Sequence, residues 1–259
     1  MSNTALITGA SGGIGLELAT IHAQKGGDLV LVARSEAKLN ALKHELEAKH
    51  GVNVTVVTSD LSQPNAAQEL FEHTEALNLQ IDTLINNAGF GGHGKFHERA
   101  LSDEQAMMQL NMVTLTDLTH FYLKGMVSRN RGQILNVSST ASFIPGPLQA
   151  VYFATKAYVT SFSQAIAEEV KESNVTVTAL CPGAVATGFA SASDLDDVDL
   201  FKNAKSAKSV AECGYRAMEQ GDLVAFNEAP LKFMLNWITP LLPRNLVLKI
   251  SRKTMEKSH

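Results

Sequence analysis

Tyr152 and Lys156 stand four residues apart in Val151-Tyr152-Phe153-Ala154-Thr155-Lys156-Ala157, a spacing that puts both side chains on one helix face. A phenol is mostly protonated at neutral pH and makes a sluggish base. An ammonium one turn away, together with the positive ring of an oxidised nicotinamide, favours the phenolate and should pull its pKa toward working pH. In the reductive direction such a pair hands a proton to a carbonyl oxygen, and a serine hydroxyl can bond that oxygen as charge grows on it. Much earlier, Thr8-Gly9-Ala10-Ser11-Gly12-Gly13-Ile14-Gly15 follows the apolar run Ala5-Leu6-Ile7. A chain that leaves a strand, turns tightly and opens a helix needs glycine where its backbone must touch a ligand. The helix start then offers unpaired N–H groups and a positive dipole end to phosphate oxygens. The spacing is Gly-x-x-x-Gly-x-Gly, not the commoner G-x-G-x-x-G. Either motif alone is weak, but both in this order, about 140 residues apart, point to hydride transfer.

Elements that could position these groups alternate along the chain. Strand-like runs cover 4–8, 28–33, 53–58, 82–86, 132–138, 176–181 and 223–226, several of them continuously apolar as in strands covered on both faces. Between them Ile14, Leu18 and Ile21, and then Leu39, Leu42 and Leu46, recur at helical spacing. Ser102 with Gln105 and Ser209 with Glu212 read as capping boxes. The pattern predicts an α/β fold: one domain over 1–259, a doubly wound, parallel, seven-stranded Rossmann-like sheet with helices on both faces. Ligands in such sheets bind beyond the carboxyl ends of the strands. Six polar clusters fall there: 9–15, Arg34, Asp60, 86–89, Ser138–Ser139 and 182–187.

The second strand ends Leu31-Val32-Ala33-Arg34-Ser35, without the Asp or Glu that usually reads the ribose hydroxyls of NAD. A carboxylate would repel a 2′-phosphate, whereas a guanidinium grips it with charge-assisted bonds. The expected cofactor is therefore NADP(H). Asp60 could accept a bond from the adenine amine or cap the following helix.

These residues together resemble the short-chain dehydrogenases/reductases, over essentially 4–190. The resemblance rests on the 8–15 turn, Asp60, Asn86-Asn87-Ala88-Gly89, Asn111, Ser139, Tyr152, Lys156, and Pro182-Gly183 followed by Thr187. It implies Tyr152 as general acid/base, Lys156 as its electrostatic partner and a ligand of the nicotinamide ribose, and Asn111 holding a water of the proton relay. Ser139, thirteen positions before the tyrosine, takes the substrate-orienting place over Ser138. The implied cofactor contacts are Gly9, Ser11, Gly13, Ile14, Gly15, Arg34, Asp60, Leu61, Asn87, Ala88, Gly89, Tyr152, Lys156, Pro182, Gly183, Val185 and Thr187. A cofactor-binding redox sensor and an epimerase or dehydratase on the same fold are the rival readings.

Substrate contacts are expected from 90–93, 143–148 and 189–204, with Ser139, Phe143, Leu148 and Phe189 foremost. The apolar character of these segments, with no cluster of Arg or Lys, favours an uncharged, hydrophobic ketone or aldehyde. His93 and His97 lack a third ligand at suitable spacing, so no metal is expected. The cluster Asp194, Asp196, Asp197 and Asp199 lacks calcium-loop spacing and reads as the solvated face of a mobile segment over 190–210.

Composition agrees: hydrophobics 45%, charged residues 19% and a net charge of −4, with no basic block that would call for nucleic acid. Cys181 and Cys213 are expected as free thiols, and a cytoplasmic homodimer or homotetramer without a signal peptide is the default. Beyond 230 the chain is rich in Leu, Ile, Phe and Trp and gains net positive charge, while Pro240 and Pro243 should break any helix. A lid on the substrate cleft, an oligomer contact and an interfacial helix on anionic lipid are the three readings of this extension; the lid is favoured.

Overall fold

The computed structural model of the protein describes residues 3–202 and 204–257. Nine strands occur among them: β1 (Thr4–Thr8), β2 (Asp28–Ala33), β3 (Val54–Thr58), β4 (Thr83–Asn86), β5 (Gly132–Val137), β6 (Val175–Leu180), β7 (Val185–Ala186), β8 (Lys205–Ser206) and β9 (Val224–Ala225). The helices are α1 (Gly13–Gln24), α2 (Glu36–His50), α3 (Ala66–Ala76), α4 (Leu101–Met108), α5 (Leu115–Ser128), α6 (Ala150–Glu169), α7 (Phe189–Ala192), α8 (Ala207–Gln220), α9 (Ala229–Phe233) and α10 (Arg244–Thr254). Seven strands form one parallel sheet in the order β3-β2-β1-β4-β5-β6-β9, as the strand pattern predicts. The two short strands β7 and β8 pair separately.

Strand alternation divides the apolar side chains between two cores. Ala5, Ile7, Leu29 and Leu31 enter one with Leu18, Leu39, Leu42, Leu46 and Met218, from α1, α2 and α8. Leu6, Val30 and Val32 enter the other with Leu70, Leu118, Tyr122 and Ile166, from α3, α5 and α6. Each fully buried Leu or Ile contributes roughly 1.5–3 kcal/mol. Strand order reverses at β1, whose neighbours are β2 and β4, so a crevice opens where the two halves diverge.

Both capping predictions need correction. Ser206, leaving β8 in an extended conformation, is the N-cap of α8; its Oγ accepts the Ser209 N–H, and Ser209 Oγ donates to the Ser206 carbonyl. Helix α4 follows Ala100 with no side-chain cap, which leaves Ser102 inside its first turn. A π-helical turn, Gln109–Thr114, joins α4 to α5 and was not legible in the sequence. The proline break occurs at Pro243 alone: Pro240 lies within the 3₁₀ turn Thr239–Leu241, and helical structure restarts at Arg244 with Pro243 as the N-cap.

Candidate active site

The glycine turn is locked by side chains from the end of β4. The Asn87 and Ala88 N–H groups donate to Thr8 Oγ1 at 3.0 Å, and Asn87 Nδ2 donates to the Thr8 and Gly9 carbonyls at 2.9 and 3.3 Å. Gly9 adopts φ +67°, and a Cβ there would lie 2.7 Å from Asn87 Nδ2. A Cβ on Gly15 would run into the Gly9 carbonyl itself. Gly13, at φ +56°, lies beneath the methyl of Thr187, so 185–187 covers the turn alongside Ser11 and Ile14. No side chain caps α1 at Gly12 and no acidic residue occupies its first turn, so the helix start faces the crevice with its N–H groups free. That arrangement fits a pyrophosphate.

Arg34 stands exposed just beyond β2; among the described residues no hydrogen bond or ion pair holds its guanidinium. Asp60 does not cap α3, whose N-cap is Asn65. Its Oδ1 instead accepts the Ser62 hydroxyl at 2.7 Å and the Ser62 N–H at 3.1 Å, and those bonds, with Arg34 as a smaller influence, lower its pKa. Leu61 is buried, and its carbonyl accepts Thr114 Oγ1 at 2.8 Å.

Asn111 sits in the π-helical turn and is 1% exposed. Its Nδ2 donates to the Phe90 carbonyl at 3.0 Å and to Thr155 Oγ1 at 3.2 Å, while its Oδ1 accepts the Phe90 N–H at 3.2 Å. A side chain on Gly89 would meet both Asn111 Oδ1 and Lys156 Nζ, which places those two groups together against Gly89.

The two serines separate cleanly. Ser138 Oγ donates to the Lys156 carbonyl at 2.9 Å and shares a 2.6 Å bond with Thr160, so it anchors α6 to the sheet. Ser139 caps the 3₁₀ turn Thr140–Phe143 by accepting the Ala141 N–H at 3.1 Å. Burial pushes the Tyr152 phenol up to about 12, and the Ser139 hydroxyl is the group that opposes this. Lys156 is itself pulled down to about 8 by burial; its Nζ donates to the Val137 carbonyl at 2.8 Å and lies 5.8 Å from the Tyr152 ring centroid. In the protein without a bound dinucleotide, desolvation dominates both groups.

Around Tyr152 the walls are apolar: Met107, Ala141, Phe153, Met255, Phe90, Ile144, Leu148, Val151 and Phe189. Leu148 adopts φ +71°, a conformation that costs a branched residue roughly 1–3 kcal/mol, with its carbonyl held by the Gly94 N–H at 2.9 Å. Phe189 lies 5.4 Å from the Tyr152 ring, centroid to centroid. Phe143 does not share this cluster; its ring packs on Phe226 at 5.2 Å. Gly91, within the expected 90–93 segment, packs against both Tyr152 and Phe189 and donates its N–H to Ser193 Oγ at 3.1 Å.

The segment over 190–210 is anchored by buried Ser193, Leu195 and Val198; Asp196 accepts the Ser191 hydroxyl, Asp199 pairs with Lys202 and Asp194 with the distant Lys257. The residue most clearly missed is Met255. The chain after α10 returns to the site, where the Met255 carbonyl lies 2.7 Å from His93 Nε2 and Gln149 Nε2 reaches its sulfur at 3.1 Å. Lys257 then pairs with Asp194 at 2.7 Å and bridges Val198. His93 is thus a strap for the extension, and His97 is an exposed neighbour of Glu98. Pro182 accepts the Thr140 N–H at 2.9 Å, and the Gly183 N–H donates to Asn227 Oδ1 at 3.3 Å with Glu228 and Leu231 close behind it.

With this geometry in place, the model of the short chain dehydrogenase family matches residues 3–197. The chain belongs to the short-chain dehydrogenases. It is 34% identical over 193 residues to the 17-beta-hydroxysteroid dehydrogenase type 3 of Homo sapiens, which is 73% of this chain and 61% of that protein. It is 36% identical over 176 residues to a very-long-chain 3-oxoacyl-CoA reductase of Laccaria bicolor, 67% of this chain and 52% of that one. The match therefore spans about half to three fifths of those relatives' length. Among solved structures, the short-chain dehydrogenase from Sphingobium yanoikuyae in complex with NADPH superposes with a TM-score of 0.83 at 30% identity, covering 89% of this chain and 90% of that one. A 7beta-hydroxysteroid dehydrogenase gives 0.86 at 26% identity, covering 96% of both chains.

Proposed function

We propose that the protein interconverts an uncharged, apolar ketone or aldehyde with its alcohol, using NADP(H). The observation that carries this is the burial of Tyr152 with Ser139 and Lys156 inside an otherwise apolar cluster, beside an uncapped helix start. The dinucleotide, when bound, supplies the hydride and, in its oxidised form, a positive charge beside the phenol. The turn at Gly9, Ser11, Gly13, Ile14 and Gly15 would hold its pyrophosphate, and Arg34 a 2′-phosphate. Tyr152, kept protonated by its surroundings, donates its proton to the substrate oxygen, and Ser139 bonds that oxygen as charge develops. Lys156 supports the ionised phenol once the proton has left, and Asn111 fixes the floor of the site. A redox sensor has no need of this assembled proton donor.

Bulky apolar substrates fit the walls formed by Leu148, Phe189 and Met255, and two of the relatives are named for a 17-beta-hydroxysteroid and a very-long-chain 3-oxoacyl-CoA. Cytoplasmic residence accords with the free thiols Cys181 and Cys213. Assembly into a homodimer or homotetramer belongs to the same proposal, supported by exposed Leu101, Met108 and Val113 around α4. The test is consumption of NADPH, with NADH alongside, over a panel of ketones and aldehydes. Tyr152→Phe should keep cofactor binding and lose about two to four orders of magnitude in turnover. Near-normal turnover by that variant would remove Tyr152 as the proton donor.

A further inference from the structure

The extension beyond β9 differs from the rest of the surface in both hydrophobicity and charge. Sixteen large apolar residues stand exposed among the described residues, and eight of them fall between Phe233 and Ile250. In the helical run that begins with α9, Phe233, Met234, Trp237, Ile238 and Leu241 recur at helical spacing and form one outward stripe. Trp237 is 68% exposed and Leu241 82%. In α10, Val247, Ser251 and Met255 face the protein, while Leu246, Lys249, Ile250 and Lys253 share an outer flank. Over 229–257, six cations stand against Glu256 alone, a net +5 that leaves −9 for the rest of a chain totalling −4. Among the described residues, Lys232, Arg244, Lys249 and Lys253 make no ion pair.

We propose that this segment docks the enzyme on an anionic lipid bilayer. The apolar stripe enters the boundary between headgroups and acyl chains, with Trp237 at its centre, while the unpaired cations meet the lipid phosphates. No helix among the described residues is long and apolar enough to cross a membrane, so the segment lies on the surface. A second copy of the chain is the weaker occupant. A two-fold contact sets this patch against itself, bringing five cations of each copy together with no Asp or Glu between residues 229 and 255 to offset them. Charge complementarity therefore selects an anionic partner, and exposed Phe, Trp, Ile and Leu select one with an apolar interior. Because the chain leaving α10 brings Met255 beside Tyr152, the docked face borders the substrate side. That last step rests on the proposed apolar substrate; the docking itself does not.

Trp237 is the chain's single tryptophan, so it reports on this patch alone. The intact protein is mixed with vesicles of phosphatidylcholine, with and without phosphatidylglycerol, and followed by flotation and by tryptophan emission. Vesicles containing phosphatidylglycerol should carry the protein and shift Trp237 emission to the blue, and high salt should reverse both. Lys249→Glu with Lys253→Glu should lower partitioning by at least about fivefold for each cation replaced. Leu241→Glu should weaken the blue shift while leaving NADPH binding unchanged. Failure to float with phosphatidylglycerol overturns the proposal. So does a Trp237 already blue-shifted without lipid in a protein that sediments as a dimer, which would assign the patch to a second copy. None of these readings depends on turnover, so an inactive ketone panel would sink the proposed function and leave the docking result standing.

Discussion

The cofactor edge and the substrate side of this enzyme are built by opposite means. At the cofactor edge, Thr8, Gly9, Gly15, Asn87 and Ala88 meet where two adjacent parallel strands end, and nearly every contact involves backbone. On the substrate side, Tyr152 is enclosed by the loop after β4, by Leu148, by Phe189 and by Met255, four stretches from separate parts of the chain. Single bonds hold them together: His93 to the Met255 carbonyl, Gly91 to Ser193, Lys257 to Asp194. Backbone geometry admits one residue type, whereas an apolar wall admits many. The first kind of site constrains sequence tightly, and the second is free to change its ligand.

The sharpest break of the comparison lies within one turn. Gly15→Ala drives a Cβ into the Gly9 carbonyl and Asn87, neither of which can yield without opening the β1–β4 junction. It should abolish measurable NADPH binding and cost about 1–3 kcal/mol of stability, seen as a lower Tm. Gly12→Ala, three residues earlier, meets nothing within 4 Å at φ 176°, a conformation any residue adopts. Its stability should stay within about 0.5 kcal/mol of the parent, with Tm nearly unchanged. Equal losses for the two variants would mean that the turn is not held by the contacts described.

Met255→Ala probes the other side. Truncating a buried methionine typically costs about 2–5 kcal/mol, but here the loss should be local, because Met255 belongs to the cluster around Tyr152 and to neither main core. The expected result is an unchanged NADPH Kd with a severalfold change in KM for bulky ketones. A parallel loss of cofactor affinity would show that the strap supports the whole fold. This residue also marks where sequence reading stops. The seven strands, the glycine turn and the Tyr152–Lys156 pair were legible because hydrophobic period, tight turns and helical spacing each impose a local pattern. Met255 and the positive φ of Leu148 were not, because their roles depend on which distant segments meet. Phe143 was misplaced for the same reason: its apolar character was read correctly, but its direction depends on Phe226 beyond β9. The π-helical turn at Asn111 leaves no trace in spacing, and the burial that acts on Tyr152 and Lys156 at once is set by the packing of distant segments.

A smaller effect should come from Arg34, whose guanidinium no hydrogen bond or ion pair holds among the described residues. Its guanidinium is exposed beyond β2, with Asp60 near enough to be influenced but already bonded to Ser62. An unpartnered cation at the ribose position is available for a 2′-phosphate, and a charge-assisted pair of this kind contributes roughly 1.5–3 kcal/mol, the lower end applying to an exposed site. Arg34→Ala should therefore weaken NADPH by about tenfold and leave NADH, which carries a hydroxyl there, nearly unchanged. The mutant's Tm should match the parent's, because no folded contact is lost. Fluorescence titration with both cofactors measures the difference directly. A loss shared by NADH and NADPH would place Arg34 on the pyrophosphate or the adenine, and the preference for NADP would then need another source on the same strand end.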